Sequence, residues 1–355
     1  MTELKKTALC NACEKVGGKM VDFHGWLLPV QFDSILAEHK AVRENVGMFD
    51  VSHMGQIRVT GKDAWKLLQY INCNNIKNTV PCGTYSHILT EQGTIIDDAI
   101  SFCLSAEEFL VVVNAACIEE DFAWFEKQAK NFDVTVTNES SKWSMIAVQG
   151  PKAVETVSSL FPSIPARFCI TEITFDGAKG YLTRTGYTGE DGVEIMLPND
   201  KINALWDALL AKGVKPCGLG ARDVLRLEAG YLLNGADADQ TRTPYEANCG
   251  WVVKLAKGDF IGKAALEAKK ASGFASKLTG IVLKSAGVPR EKCKVFFNGE
   301  EKGFLTSGTY SPLAKGIAVG YISTDVPVGA EVEVEIHSRR VPAEVVKTPF
   351  YKNKV

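Results

Sequence analysis

Apolar residues recur along the chain at two periods, and the order in which the periods change outlines the fold. Helical spacing predicts a helix over 33–45, with Asp33 or Ser34 as its cap. It predicts another over 62–71, carrying Trp65, Leu67, Leu68 and Ile71, and a third over 118–131, carrying Ile118, Phe122, Phe125 and Ala129. Between them Phe109-Leu110-Val111-Val112-Val113 is a buried-strand run, 133–137 alternates, and 143–148 is strand-like. Pro151 suits the opening of a helix, where its missing N–H costs nothing. Phe175-Asp176-Gly177 marks a turn into a strand, turn and strand that end near Leu197. An amphipathic helix over 202–212 is closed by Gly213, and a further helix after Gly218-Leu219-Gly220 carries Arg222, Asp223, Arg226 and Glu228. Helices and strands alternate irregularly, without the strand–helix–strand rhythm of a doubly wound sheet.

The pattern changes at 265–277, a run rich in Ala, Lys and Ser. After it come only short strand-like pieces, at 278–283, 293–297, 317–322 and 331–336. Segments such as Gly308-Thr309-Tyr310-Ser311-Pro312 and Val326-Pro327-Val328-Gly329 read as separators. This predicts an all-β terminal domain, a small barrel or sandwich. A chain of 355 residues is long enough for two or three such units.

Composition narrows the function classes. A net charge of −2 gives no general footprint for nucleic acid. No apolar run reaches the ~18 residues of a membrane span, and Met1-Thr2-Glu3-Leu4-Lys5-Lys6 lacks the apolar core of a signal peptide, so the cytoplasm is the expected location. Cys103, Cys117, Cys169 and Cys217 lie in or beside apolar segments, where free cysteine behaves as a small hydrophobe. Cys10-Asn11-Ala12-Cys13 has no second ligand pair with which to hold zinc. Its thiols share a helical face, which leaves redox exchange open beside a reduced, structural role.

The densest polar signal is Arg184-Thr185-Gly186-Tyr187-Thr188-Gly189-Glu190-Asp191-Gly192-Val193-Glu194-Ile195. Its glycines expose backbone where the chain can approach a ligand closely, and its carboxylates suit a partner with adjacent N–H donors. A solvated acidic hairpin has the same composition. There is no phosphate-binding loop and no nucleophile elbow. Gly218-Leu219-Gly220-Ala221-Arg222-Asp223 begins like a dinucleotide fingerprint but lacks the third glycine. The histidines form no ligand pair, so no metal is expected, and His24, His39 and His53 read as surface or hydrogen-bonded core residues. Asp97-Asp98 lies inside an apolar strand-like run, so alternation turns one carboxylate inward, where it needs a partner. Asn114 is another polar group, closing an apolar run. Arg222 and Arg226 share a helical face, as a functional pair or as a surface ladder with Asp223 and Glu228. The residues alone indicate an enzyme or binder with a pocket lined by arginine and carboxylate.

Taken together these segments closely resemble the aminomethyltransferase (T-protein) family of the glycine cleavage system. The matching stretches include Gly18-Lys19-Met20-Val21-Asp22-Phe23, Gly47-Met48-Phe49-Asp50-Val51-Ser52-His53-Met54-Gly55, Ile96-Asp97-Asp98 and Val113-Asn114-Ala115-Ala116. They continue through 185–194, 218–223, Arg226-Leu227-Glu228-Ala229, Gly250-Trp251-Val252-Val253-Lys254-Leu255, 308–312 and Lys347-Thr348-Pro349-Phe350-Tyr351. Their order and spacing across most of the chain make the resemblance specific. It implies an α+β, three-domain fold. Two interleaved α/β-containing units over 1–270 would surround a central folate opening, with a C-terminal β-barrel over 271–355.

The resemblance also implies an activity: transfer of the aminomethyl carbon from the lipoyl arm of the H-protein to tetrahydrofolate, with release of ammonia. Asp98 then matches the catalytic aspartate and Glu194 the folate-binding carboxylate. Arg222, Tyr85, Asn114 and Tyr187 match folate-contacting positions, with Tyr231 at the same pocket. Some relatives meet the folate glutamyl tail with a basic residue near the C-terminus, where this chain offers Lys352 or Lys354. His24 stands where relatives often carry a small residue. Two alternatives share the module: a folate-dependent demethylase of a small methylated amine or sulfur compound, and a non-catalytic folate-binding protein.

Overall fold

The computed structural model describes residues 3–353; Lys354 and the first two residues of the N-terminal stretch lie outside them. The chain divides into two compact units. The first takes the chain up to Ile71, Asn75–Ser86 and Ala99–Asp223; the second takes Asn72–Asn74, His87–Asp98 and the chain from Val224 on.

The first unit is built on two main sheets. A six-stranded sheet runs in the order Ile170–Phe175, Ala178–Thr183, Gly192–Pro198, Trp143–Gln149, Gly47–Asp50, Lys215–Pro216, antiparallel except at its last pair. The helices Ala153–Ser158 and Ile202–Ala211 contribute Val157, Leu205, Trp206 and Leu209 to a core with Val148, Leu182 and Ile195. The other sheet pairs the Ala99–Ser105 part of the strand Ile95–Ser105 with Glu108–Val113, and Glu108–Val113 with Gly55–Thr60, which in turn pairs with Thr135–Asn138. Gly83–Leu89 flanks Ile95–Ser105.

Local signals place these elements closely. The helix Ile35–Glu44 starts where Ser34 accepts the Ala37 N–H, so Ser34 and not Asp33 is the cap. The helices Ala64–Ile71 and Ile118–Ala129 bury Leu67, Leu68, Ile71 and Phe125, as their spacing predicts. Gly213 takes φ +77°, the left-handed turn that ends the helix before it.

The second unit contains a closed barrel of Ser276–Leu283, Lys315–Ser323, Glu300–Ser311, Lys294–Phe297, Glu331–Ile336 and Arg339–Val346, filled by Ile281, Val295, Leu305, Val334 and Val345. The expected barrel-or-sandwich alternative thus resolves as a barrel. Two details differ from the sequence reading. The run at 265–277 holds a helix, Lys263–Ser272, and the 308–311 segment continues the strand Glu300–Ser311 instead of separating strands. Buried on one side, Ser311 donates to Glu228 at 2.5 Å, which fixes this polar stretch in the sheet.

Arg226 is the largest polar side chain buried in the second unit. Its guanidinium meets Asp237 at 2.5 Å and Ser307 Oγ at 2.8 Å. Asp237 also accepts from the hydroxyls of Thr306 and Ser307, from the Leu233 N–H, and, at its backbone carbonyl, from Tyr321. Of the two readings open for Arg222 and Arg226, the surface ladder therefore does not hold for Arg226. A buried guanidinium is tolerated here because almost every lone pair around it is used.

Candidate functional site

In the first unit the acidic turn joins Ala178–Thr183 to Gly192–Pro198, and Gln149 is the peg it wraps around. Gln149 Nε2 donates to the carbonyls of Thr185 at 3.1 Å and Val193 at 3.4 Å, and Thr188 donates to Gln149 Oε1 at 2.9 Å. A Cβ on Gly186 would stand 2.0 Å from Gln149 Oε1, and one on Gly192 2.4 Å from the Val148 carbonyl oxygen. Both glycines are therefore required by the protein's own packing, not by the approach of a ligand.

The carboxylates of the turn separate by partner. Glu190 is not solvated: it is buried with Arg43 at 2.7 Å, and Arg43 also donates to the Thr188 carbonyl at 2.7 Å. Asp191 receives Arg184 through two N–H groups at 3.1 and 2.7 Å, and that pairing holds its carboxyl below the usual carboxylate range. Both shape the loop.

Glu194 differs. It lies mid-strand, in register with Thr183 on one side and Ala147 on the other. Its neighbours Val193 and Ile195 enter the core, so its own side chain takes the opposite face. Thr185 donates to Glu194 Oε2 at 2.5 Å, with the Thr183 hydroxyl 2.7 Å from that of Thr185. Burial pushes the Glu194 carboxyl upward, while the Thr185 hydrogen bond and the charge of Arg222 pull it back. Each carboxylate oxygen has two lone pairs, so Thr185 leaves both oxygens able to accept further N–H donors.

Arg222 comes from the first turn of Leu219–Glu228. Gly218 and Gly220 let that helix start close in: a Cβ on Gly218 would lie 2.4 Å from the Val30 carbonyl carbon, and one on Gly220 2.6 Å from Ile35 Cδ1. The Gly218 N–H donates to Glu38 at 2.8 Å, and this fully buried carboxylate also accepts from the N–H groups of Phe32 and Asp33. The glycine pair is thus packing, not a nucleotide loop. The Arg222 guanidinium lies 4.6 Å from the centre of the Tyr187 ring. It borders a small cleft with Leu28, Pro29, Phe49, Asp50 and Gly218. Asp50 is held there by Thr7 at 2.7 Å and the Ser52 N–H at 3.0 Å, its carboxyl raised by burial.

His53 belongs to this neighbourhood and was read from the sequence only as surface or hydrogen-bonded core. It is buried, edge-on to Phe23 at 5.8 Å, and its Nδ1 has no hydrogen-bond partner. Burial lowers its pKa to about 3, with the charges of Arg222 and His24 adding to the effect. His24 itself is exposed, in a left-handed conformation (φ 51°). Tyr85 and Asn114 stand half-buried on the other sheet of this unit, Tyr85 within Gly83–Leu89 and Asn114 just after Glu108–Val113.

In the second unit Asp97 is fully buried and Asp98 half-buried, the split that strand alternation predicts. Asp97 is satisfied by Asn234, whose amide donates to its carboxylate at 2.6 Å and to the Ile96 carbonyl at 3.2 Å. Nothing local in the sequence points to Asn234. Asp98 lies near Cys249, whose thiol is pushed up to about 12 by burial first and by the Asp98 charge next. Tyr231 follows the left-handed Gly230 with 41% of its surface exposed. Among the described residues no group of three or more His, Cys, Asp or Glu side chains is placed to hold a metal ion, and no helix is long and apolar enough to cross a membrane.

Comparison with known proteins gives consistent matches along the chain. The family model of the GCVT N-terminal domain matches residues 9–257, and that of the glycine cleavage T-protein C-terminal barrel domain matches 277–352. An aminomethyltransferase of Herpetosiphon aurantiacus is 43% identical, over 98% of this chain and 99% of its own length. One from Listeria monocytogenes is 44% identical, over 99% of both. The crystal structure of the glycine cleavage system aminomethyltransferase T from Bartonella henselae superposes with a TM-score of 0.92 at 33% identity, covering 98% of each chain.

Proposed function

The chain belongs to the glycine cleavage T-protein family, the aminomethyltransferases, and from that premise we propose that it moves the aminomethyl carbon of a lipoylated H-protein onto tetrahydrofolate. Ammonia leaves, and 5,10-methylenetetrahydrofolate and the dihydrolipoyl H-protein are formed. In this reading residues 1–270 form the folate-binding region, 271–355 the barrel domain, and the protein works in the cytoplasm.

The observation that carries the proposal is Glu194. Glu190 and Asp191 are paired with Arg43 and Arg184, whereas Glu194 is aimed away from the core and fixed by Thr185. A pterin presents its 2-amino group and N3–H side by side, and a carboxylate accepts such a pair with both oxygens. Arg222 and Tyr187, stacked on each other, supply a cation and a flat face beside it. Tyr85, Asn114 and Tyr231 are assigned as further folate contacts, and Lys352 as the cation for the glutamyl tail.

Asp98 is assigned the catalytic role. Transfer requires a free lone pair on the folate nitrogen, while positive charge develops on the migrating carbon as ammonia departs. A fixed carboxylate orients the nucleophile and, while ionised, stabilises that charge, taking up the nitrogen's proton only as the new bond forms. The strand rigidly presents Asp98 because its neighbour Asp97 is locked by Asn234.

The deciding experiment is a single turnover with aminomethylated H-protein and tetrahydrofolate, following ammonia and methylenetetrahydrofolate together. Both products should appear in equal amounts. Neither product from folded protein, with activity on a methylated amine or sulfur compound instead, would replace the proposal with a demethylase.

A further inference from the structure

Two cysteines of the first unit meet where the start of Gly83–Leu89 touches the segment before Ile170–Phe175. The Gly83 N–H donates to the Phe168 carbonyl at 2.6 Å, and the Ile170 N–H to the Pro81 carbonyl at 3.0 Å. These bonds flank Cys82 and Cys169, which face each other as an isolated antiparallel pair. Bonds on both sides and none between make this a non-hydrogen-bonded pair, the closer of the two antiparallel types, with Cα atoms about 4.5 Å apart. That spacing falls within the ~4.4–6.8 Å range of disulfides. Burial raises the pKa of the Cys169 thiol, and the neighbouring Cys82 adds to the effect. Cys82 is half-buried, whereas Cys169 is buried, 9% exposed.

A third thiol nearby is turned away. Cys103 donates its backbone N–H to the Cys82 carbonyl at 3.0 Å, but its Sγ is directed to the Ser105 carbonyl at 3.2 Å and to Asn78 at 3.8 Å. The Cys10-Asn11-Ala12-Cys13 pair, the redox candidate of the sequence, is sealed in the core with both thiols at most 2% exposed.

We propose that Cys82 and Cys169 are a redox modification site that closes to a reversible cross-strand disulfide under peroxide. The Cys82 sulfur attacks a peroxide oxygen and the O–O bond breaks. One oxygen leaves as water and Cys82 becomes a sulfenic acid. The Cys169 sulfur then attacks the Cys82 sulfur, the S–O bond breaks and a second water leaves. Two thiols lose two electrons and two protons, and one hydrogen peroxide becomes two waters. A dithiol reductant reverses the step by exchange. The bond would form one strand away from the acidic turn, because Arg184 and the Phe168–Cys169 segment exchange two backbone hydrogen bonds of 3.0 Å. The inference stands on this geometry alone and is independent of the proposed activity.

The test uses the full, reduced protein exposed to hydrogen peroxide, quenched with iodoacetamide in denaturant and digested without reduction by trypsin and a glutamate-specific protease. Cleavage after Glu91 separates Cys82 from Cys103. Mass spectrometry should find residues 78–91 joined to 168–172, lighter than the two free peptides by two hydrogens, and dithiothreitol should abolish the species. Cys82→Ser and Cys169→Ser should each remove it. The wild-type map decides the question even where a serine variant misfolds. Linkage of Cys82 to Cys103, Cys82 stalled as a sulfenic or sulfinic acid, or both thiols recovered alkylated after prolonged excess peroxide would each overturn the proposal.

Discussion

Gln149 occupies the space that any side chain on Gly186 would need: its Oε1 lies 2.0 Å from where a Cβ would sit. Gly186→Ala should therefore destabilise the protein by about 1–3 kcal/mol, the usual cost of forcing a methyl group into packed structure. Urea denaturation of Gly186→Ala, Gln149→Ala and the double variant checks this. The double variant should lose less than the sum of the single losses, because removing Gln149 opens the space.

Removing the Glu194 charge should weaken folate binding. Glu194→Gln is expected to raise the tetrahydrofolate Kd by about 10- to 100-fold, about 1.4–2.8 kcal/mol, as measured by calorimetry. Its pH dependence carries a sign. The ionised carboxylate accepts the pterin donors, so affinity should fall as pH drops through the Glu194 pKa, which burial places above its ordinary 4.5. Glu194→Gln should bind with no such pH dependence.

For Asp98 the expectation is the reverse split. Asp98→Asn should leave tetrahydrofolate affinity within about tenfold, about 1.4 kcal/mol, while turnover falls far more. Equal losses in both would reduce Asp98 to a binding residue.

Arg226 and Asp237 should behave as a buried pair. Arg226→Met leaves the Asp237 carboxylate in the interior without its cation and should cost about 3–5 kcal/mol. Adding Asp237→Leu should recover part of that loss in thermal denaturation, since no uncompensated charge then remains.

Acid should destabilise the protein through His53 and His87, each held neutral by burial with a pKa lowered to about 3. Above their ordinary 6.5 neither folded nor unfolded chain binds these protons. Between 6.5 and 3 only the unfolded chain does, so stability is lost as pH falls, by about 1.4 kcal/mol per pH unit for each histidine. His53→Gln should shallow the slope of denaturation free energy against pH.

The parts of this fold legible in the sequence are those set by neighbours in the chain. Ser34 caps its helix three residues from its partner, Gly213 ends one, and alternation divides Asp97 from Asp98. Glu194 was singled out because it sits in a dense polar motif. The pairings that give the motif its shape join distant residues and leave no local trace. Arg43 meets Glu190 across 147 positions, Gly218 meets Glu38 across 180, and Asn234 meets Asp97 across 137. Glycines misled for the same reason: Gly186, Gly218 and Gly220 signalled close approach, but only the fold shows that Gln149, Val30 and Ile35 are what approaches.

The second unit is assembled from pieces far apart in the chain, with His87–Asp98 belonging beside residues from Val224 onward. During synthesis those early residues leave the ribosome more than a hundred residues before their partners exist. At ~5–20 residues per second the wait is roughly 5–25 s. Ile88, Leu89, Ile95 and Ile96, all buried in the finished protein, are made in that early stretch. Slowing translation ahead of Val224 should therefore lower the yield of folded protein more than slowing it afterwards.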